Sequence, residues 1–193
     1  MPEGWMLVTA PVGSLLIRWD ERGLQSARWI LQPWPDALPW TIEEVQTLGS
    51  PDPWAHFLRD WWRAYRVGQW SEAMARAVLD HVVPGLLGSG FRRAVLETVV
   101  RIPMGSTRTY RSVAEAVGKP GAARAVGQVL AWNPLPVLIP CHRVVGAGGR
   151  LGGYSPSLSI KAWLLEWERS MIDLRVVQGR RGLPYNRSDG VME

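Results

Sequence analysis

The chain has 193 residues, 47% of them hydrophobic, and a formal charge of +5, enough material for one domain or two small ones around real cores. It contains no run of 18 apolar residues and opens on no basic-then-apolar leader, so it reads as soluble, not secreted and cytoplasmic. The single cysteine, Cys141, rules out an internal disulfide and a cysteine-rich zinc site, and a free thiol suits a reduced compartment.

The basic residues are almost all arginine, with only Lys119 and Lys161 as exceptions. Arginine grips phosphate bidentately and stacks on bases, so a polyanionic partner fits, although a solvated arginine-rich face has the same composition. Most of the 12 tryptophans fall in the first 70 residues, where they read as core and interface filling.

Residues 5–31 read as strands: Trp5 to Val8, Leu15 to Trp19 and Leu24 to Ile30, separated by Pro-Val-Gly and Asp-Glu-Arg-Gly turns. The proline-rich stretch 32–53 predicts an irregular connection. Trp54, Leu58, Trp61 and Tyr65 recur at helical spacing and predict a helix over 54–67. Pro84 to Gly90 then marks a boundary between an N-terminal α+β unit and a mostly helical second unit.

That unit opens with a helix over 91–100, carried by Phe91, Val95 and Val99 and stopped by Pro103 and Gly105. Helices over 112–118 and 122–132, joined by a Lys-Pro-Gly turn, form a helix-turn-helix pattern. Val126, Val129 and Leu130 make the packing side of the latter, and Arg124 and Gln128 lie opposite. Two polar side chains among Ala and Gly suit shape and phosphate contact better than base readout, so DNA binding with little sequence preference is expected. A last helix runs over 158–169, with Ile160, Trp163, Leu164 and Trp167 inward, before a polar tail without periodicity.

Cys141 stands between Pro140 and His142, at the end of an apolar, strand-like stretch that begins at Asn133-Pro134. A free thiol has a pKa of about 8.5 and is mostly protonated at neutral pH, so displacement chemistry needs a base. An imidazole backed by a carboxylate supplies one. His142 adjoins Cys141, so their side chains diverge, and a bridging water is the physically reasonable path for the proton.

Pro-Cys-His-Arg-Val at 140–144, with Asn133-Pro before it and Gly152-Gly-Tyr154-Ser155 after it, resembles the O6-alkylguanine-DNA alkyltransferases. The likeness takes in Gly105 to Tyr110, Ala122 to Gly127 and Lys161 to Glu168, and covers about residues 88–169; the N-terminal part is looser. It implies a ribonuclease-H-like α/β domain over 1–86, a winged helix-turn-helix domain over 87–170 and a tail over 171–193. It implies stoichiometric, irreversible repair of duplex DNA, with minor-groove binding, nucleotide flipping, no cofactor or metal, and self-association on DNA. Cys141 would accept the alkyl group, with His142 and Glu168 drawing off the thiol proton. Tyr110 would hydrogen-bond a guanine ring nitrogen, and Asn133 would hold the active-site turn. Arg124 would fill the place of the flipped base. Gln128, Thr109, Ala122, Ala123 and Arg143 would contact DNA, and Val144, Tyr154, Ser155 and Pro156 would line the pocket.

Each role has a physical reason. O6 lies at the pairing edge of guanine, so the base must leave the stack to reach a buried sulfur. A donor to the ring nitrogen stabilises the charge that the leaving purine gains. The thioether product has no second thiol to remove it.

Some positions depart from the pattern. Pro156 stands where a small residue is usual, which predicts a narrow pocket. Trp132 stands before Asn133, where it would stack on DNA or pack on the first domain. Rival readings are a lesion sensor without transfer, a sequence-specific winged helix-turn-helix regulator and a cysteine hydrolase. The intact Cys141, the sparse polar face of 122–132 and the absence of an oxyanion-hole pattern argue against each in turn.

Overall fold

The computed structural model describes residues 3–30, 41–46, 53–154 and 157–180, with side chains over 4–30, 53–154 and 157–174. Tight turns at 11–12 and 21–22 fold the alternating N-terminal segment into strands β1 (Glu3–Ala10), β2 (Gly13–Asp20) and β3 (Gly23–Ile30). A fourth strand, β4 (Thr41–Gln46), gives an antiparallel sheet of order β3-β2-β1-β4. The register sets Met6 against Ile17, Val8 against Leu15 and Ile17 against Ala27, so these apolar side chains share one buried face.

Helix α1 (Pro53–Arg66) contributes Leu58, Trp62 and Tyr65 to the same core, and α2 (Glu72–Asp80) adds Ala75 and Val78. The chain after α2 is tied to β3: Leu24 N donates to His81 O at 2.8 Å and Val83 N to Leu24 O at 3.2 Å. Gly23 permits this approach, because its φ is +131° and a Cβ there would lie 2.4 Å from His81 O.

The second unit is built from α3 (Gly90–Val100), α4 (Tyr110–Ala116), α5 (Ala123–Ala131) and α6 (Leu158–Arg180). Val95, Val99, Val113, Val126, Ile160 and Leu164 close its interior. A short parallel pair, β5 (Arg108–Thr109) with β6 (Val144–Val145), braces the start of α4 against the segment that follows the cysteine. The apolar cluster runs unbroken from the sheet into these helices. Among the described residues no helix is long and apolar enough to cross a membrane.

The first three strands and the helices at α1, α3, α4 and α5 lie within a few residues of the sequence expectation. The stretch 32–53 does not stay irregular, since it contains β4. Helix α2 occupies a segment for which no element was expected. The last helix continues to Arg180 instead of ending near 169. Residues 133–140 form a buried turn, not a strand, and Cys141 to Arg143 make one 3-10 turn after it.

Candidate active site

The turn carrying the thiol is held from inside by one amide. Asn133 Nδ2 donates to Ile139 O at 2.8 Å and to Cys141 Sγ at 3.0 Å, while Asn133 Oδ1 accepts from Leu135 N at 3.1 Å. Ile139 N to Leu135 O and Cys141 N to Ile139 O, both 2.8 Å, close the turn. Val137 within it has φ +72°, a left-handed conformation that costs a β-branched residue about 1–3 kcal/mol and persists only where its surroundings fix it. The sequence thus spends apolar burial at Leu135, Val137, Leu138 and Ile139 to hold Sγ in one place. Burial pushes the Cys141 thiol above its ordinary value, and the Asn133 donor and the Lys161 charge pull it partly back. The resting thiol is therefore neutral.

Behind it lies a caged carboxylate. Glu168, on α6 and fully buried, accepts through Oε1 from His142 Nε2 at 2.8 Å, Arg143 Nη2 at 2.8 Å and the Tyr65 hydroxyl at 2.7 Å. Its Oε2 accepts from Arg143 Nε at 2.9 Å and Gly105 N at 3.2 Å. Burial alone would raise the Glu168 pKa. The hydrogen bonds of His142 and Arg143 and the Arg143 charge, joined by the His142 charge once that ring is protonated in acid, outweigh it and hold the carboxyl far below its usual range. An ionised Glu168 fixes the proton of His142 on Nε2, leaving Nδ1 as the basic nitrogen. Nδ1 is buried without a hydrogen-bond partner among the described residues. Burial also lowers the His142 pKa, against the pull of Glu168, so the imidazole is neutral and ready to accept a proton.

Two tyrosines and a lysine complete the chamber. Tyr110 opens α4, and its hydroxyl donates to Gly153 O at 3.1 Å. Gly152 is required beside it: its φ is +64°, and a Cβ there would stand 3.0 Å from Tyr110 Cε2. The Tyr154 hydroxyl is buried and lies against the Cys141 thiol and the Trp29 indole. Lys161 Nζ donates to Val144 O at 2.6 Å and sits 5.7 Å and 5.8 Å from the ring centroids of Tyr110 and Tyr154. Burial lowers its pKa to about 8, with Cys141 pulling the other way.

Arg124 and Gln128 are exposed on α5, and Ala122 and Ala123 are half-buried at its start. Thr109 caps α4, its hydroxyl accepting from Ser112 N at 3.0 Å. Trp132 is 77% exposed at the end of α5. Val144 is buried beside the cysteine. Ser155 and Pro156 lie outside the described residues.

The structure corrects one expectation. Arg143 does not face DNA: it is 1% exposed, and its guanidinium is consumed by Glu168 and by Ile102 O. Sequence reasoning also missed Tyr65, Lys161 and Trp29. Tyr65 was read only as part of an apolar helical face, and Lys161 only as part of a motif. Nothing local to Trp29 marks it as a neighbour of position 141. Among the described residues no cluster of His, Cys, Asp and Glu could hold a metal.

The chain is similar to known proteins in sequence and in fold. Residues 90–170 match the family model described as 6-O-methylguanine DNA methyltransferase, DNA binding domain. The chain is 36% identical over 164 residues to the methylated-DNA–protein-cysteine methyltransferase of Mycobacterium bovis, spanning 84% of this chain and 90% of that protein. It is 31% identical over 172 residues to the protein of the same name from Methanosarcina acetivorans, spanning 86% and 98%. The crystal structure of Mycobacterium tuberculosis OGT in complex with DNA superposes with a TM-score of 0.62 at 32% identity, over 86% of this chain and 92% of that one. With a buried, singly occurring thiol at the matching motif, the chain belongs to the methylated-DNA–protein-cysteine methyltransferase family.

Proposed function

We propose that this protein repairs duplex DNA by moving the alkyl group, chiefly methyl, from O6 of guanine onto Cys141. The observation that carries the reading is a buried thiol held by the Asn133 amide and followed directly in the chain by His142, whose imidazole is paired with Glu168. Sγ attacks the alkyl carbon, the S–C bond forms and the C–O6 bond breaks, with the electron pair staying on the purine. The thiol proton passes through a bridging water to His142 Nδ1, and Glu168 stabilises the imidazolium. The Tyr110 hydroxyl turns from Gly153 O to a ring nitrogen of guanine and stabilises the purine as it gains charge. Val144 and Tyr154 form the pocket wall.

The product thioether has no route back, so each molecule acts once. The N-terminal unit, over 1–86, is a ribonuclease-H-like domain, and 87–170 is a winged helix-turn-helix domain whose α5 enters the minor groove. Arg124 fills the gap left by the flipped nucleotide, and Gln128, Thr109, Ala122 and Ala123 lie along the backbone. Small residues on α5 make the contact one of shape and phosphate, with little sequence preference.

Intact-protein mass after incubation with a duplex containing one O6-methylguanine tests this. A gain of one methyl group per chain in wild type, absent in Cys141→Ala, is the expected result. Tight binding to the lesion without any mass gain would overturn the transfer and leave a lesion sensor.

A further inference from the structure

One wall of the Cys141 cavity comes from the N-terminal unit. Ala27 N donates to Pro134 O at 2.8 Å, so β3, an edge strand, is pinned backbone to backbone on the turn that holds the nucleophile. Trp29 follows two residues later, on the same face of the strand as Ala27 and opposite Leu15. Its half-buried indole reaches a cavity of about 230 Å³ that it shares with Leu130, Asn133, Pro136 and Cys141. The Tyr154 hydroxyl lies against Trp29 as well as against the thiol.

Displacement at carbon places sulfur, carbon and the leaving oxygen in line. A methyl group then adds only hydrogens around that line. In a larger alkyl group the rest of the substituent must project sideways into the space around Sγ. The indole occupies the side of that space toward β3, and the Ala27–Pro134 bond keeps the strand from backing away.

We infer that Trp29 is a specificity-determining residue, setting an upper limit on the alkyl group that Cys141 accepts and disfavouring benzyl-sized substituents. The inference rests on the reading of Cys141 as the alkyl acceptor. A hydrophobic pocket discriminates by shape over about 10–200-fold per methylene-sized change, which makes a rate ratio the natural readout.

The test uses the full chain as wild type, Trp29→Phe and Trp29→Ala, with duplexes carrying O6-methylguanine or O6-benzylguanine, followed by intact mass against time. The benzyl-to-methyl rate ratio is expected to rise by about tenfold or more in Trp29→Ala, and by less in Trp29→Phe. Thermal unfolding reports whether each variant is folded, and Trp29→Phe alone decides the direction if the alanine variant is not. An unchanged or falling ratio would overturn the inference, since a merely structural role for the indole slows both reactions together. Normal methyl transfer with an unmoved ratio sinks the size limit alone; no methyl transfer by wild type sinks the acceptor reading with it.

Discussion

Tyr65 and Glu168 are 103 residues apart in the chain, yet the hydroxyl of the first donates to Oε1 of the second at 2.7 Å. Tyr65 belongs to α1 of the N-terminal unit, whereas Glu168 backs His142 in the other unit. The hydrogen bonding of the carboxylate behind His142 is therefore completed by a residue of the N-terminal unit. Around this bond the two units meet through aromatic rings, with Tyr65 and Trp167 centroids 5.0 Å apart. Removing the hydroxyl in Tyr65→Phe keeps the ring and deletes a buried hydrogen bond to a charged acceptor. The expected loss is about 1.5–3 kcal/mol of unfolding free energy, measured by urea denaturation at neutral pH. A change below about 0.5 kcal/mol, the range of ordinary surface substitutions, would show that the contact does not hold the units together.

Acid should weaken the fold in two stages. His142 has its pKa lowered from 6.5 by burial, so below that value the unfolded chain binds a proton that the folded chain refuses. Stability must then fall with falling pH, because it rises with pH wherever the unfolded state holds more protons. Glu168 adds a second loss below 4.5, since its folded carboxyl stays ionised far below that ordinary value. The melting temperature should hold steady from pH 7.5 to 6.5, decline from there and drop more steeply below 4.5. A melting temperature unchanged between pH 7 and 5 would mean that His142 is not buried in its neutral form.

The elements that could be read from sequence are those whose burial is periodic. Strands β1 to β3 alternate, and α1, α3 and α5 carry apolar residues at helical spacing, so local pattern and final environment agree. Strand β4 escaped because Thr41-Ile-Glu-Glu-Val-Gln46 breaks alternation with adjacent glutamates and sits among prolines. The end of α6 escaped because, although Met171 and Ile172 extend its packed face, the polar and glycine-bearing residues beyond them carry no strong periodicity. At the site, Cys141 and His142 were legible as neighbours in sequence. The contact of His142 with Glu168 was reached only through the family resemblance and is present at 2.8 Å, since no spacing rule joins residues 26 apart. Arg143 was misassigned for the related reason that its burial depends on a carboxylate from α6.

Asn133 should govern both the shape and the reactivity of the thiol. Its amide is a donor to Sγ and to Ile139 O, and of these only the first favours the thiolate directly. Asn133→Ala removes a stabilising interaction from a group whose burial already raises its pKa, and leaves Ile139 O without that partner. Methyl transfer is expected to slow by at least about tenfold, the equivalent of about 1.4 kcal/mol. Alkylation of Cys141 by iodoacetamide should require higher pH than in wild type. Equal iodoacetamide profiles for the two proteins would show that the amide does not act on the sulfur.

Arg124 and Arg143 offer a paired test of which arginines serve DNA and which serve the fold. Arg124 is exposed on α5, so Arg124→Ala should leave unfolding free energy within about 0.5 kcal/mol of wild type. Its effect should appear in the DNA complex instead, with affinity for a lesion-bearing duplex falling by about tenfold or more as one intercalating contact is lost. Arg143→Ala should do the reverse in energetic terms. It strips the guanidinium from a buried carboxylate at 2.8 Å and 2.9 Å, and breaking such a pair costs about 3–5 kcal/mol because the remaining charge stays buried. Calorimetry and a fluorescence binding titration on the two variants separate the cases. Were Arg143→Ala as stable as wild type, Glu168 would not be the enclosed anion described here, and the neutral, Nε2-protonated state of His142 would lose its physical basis.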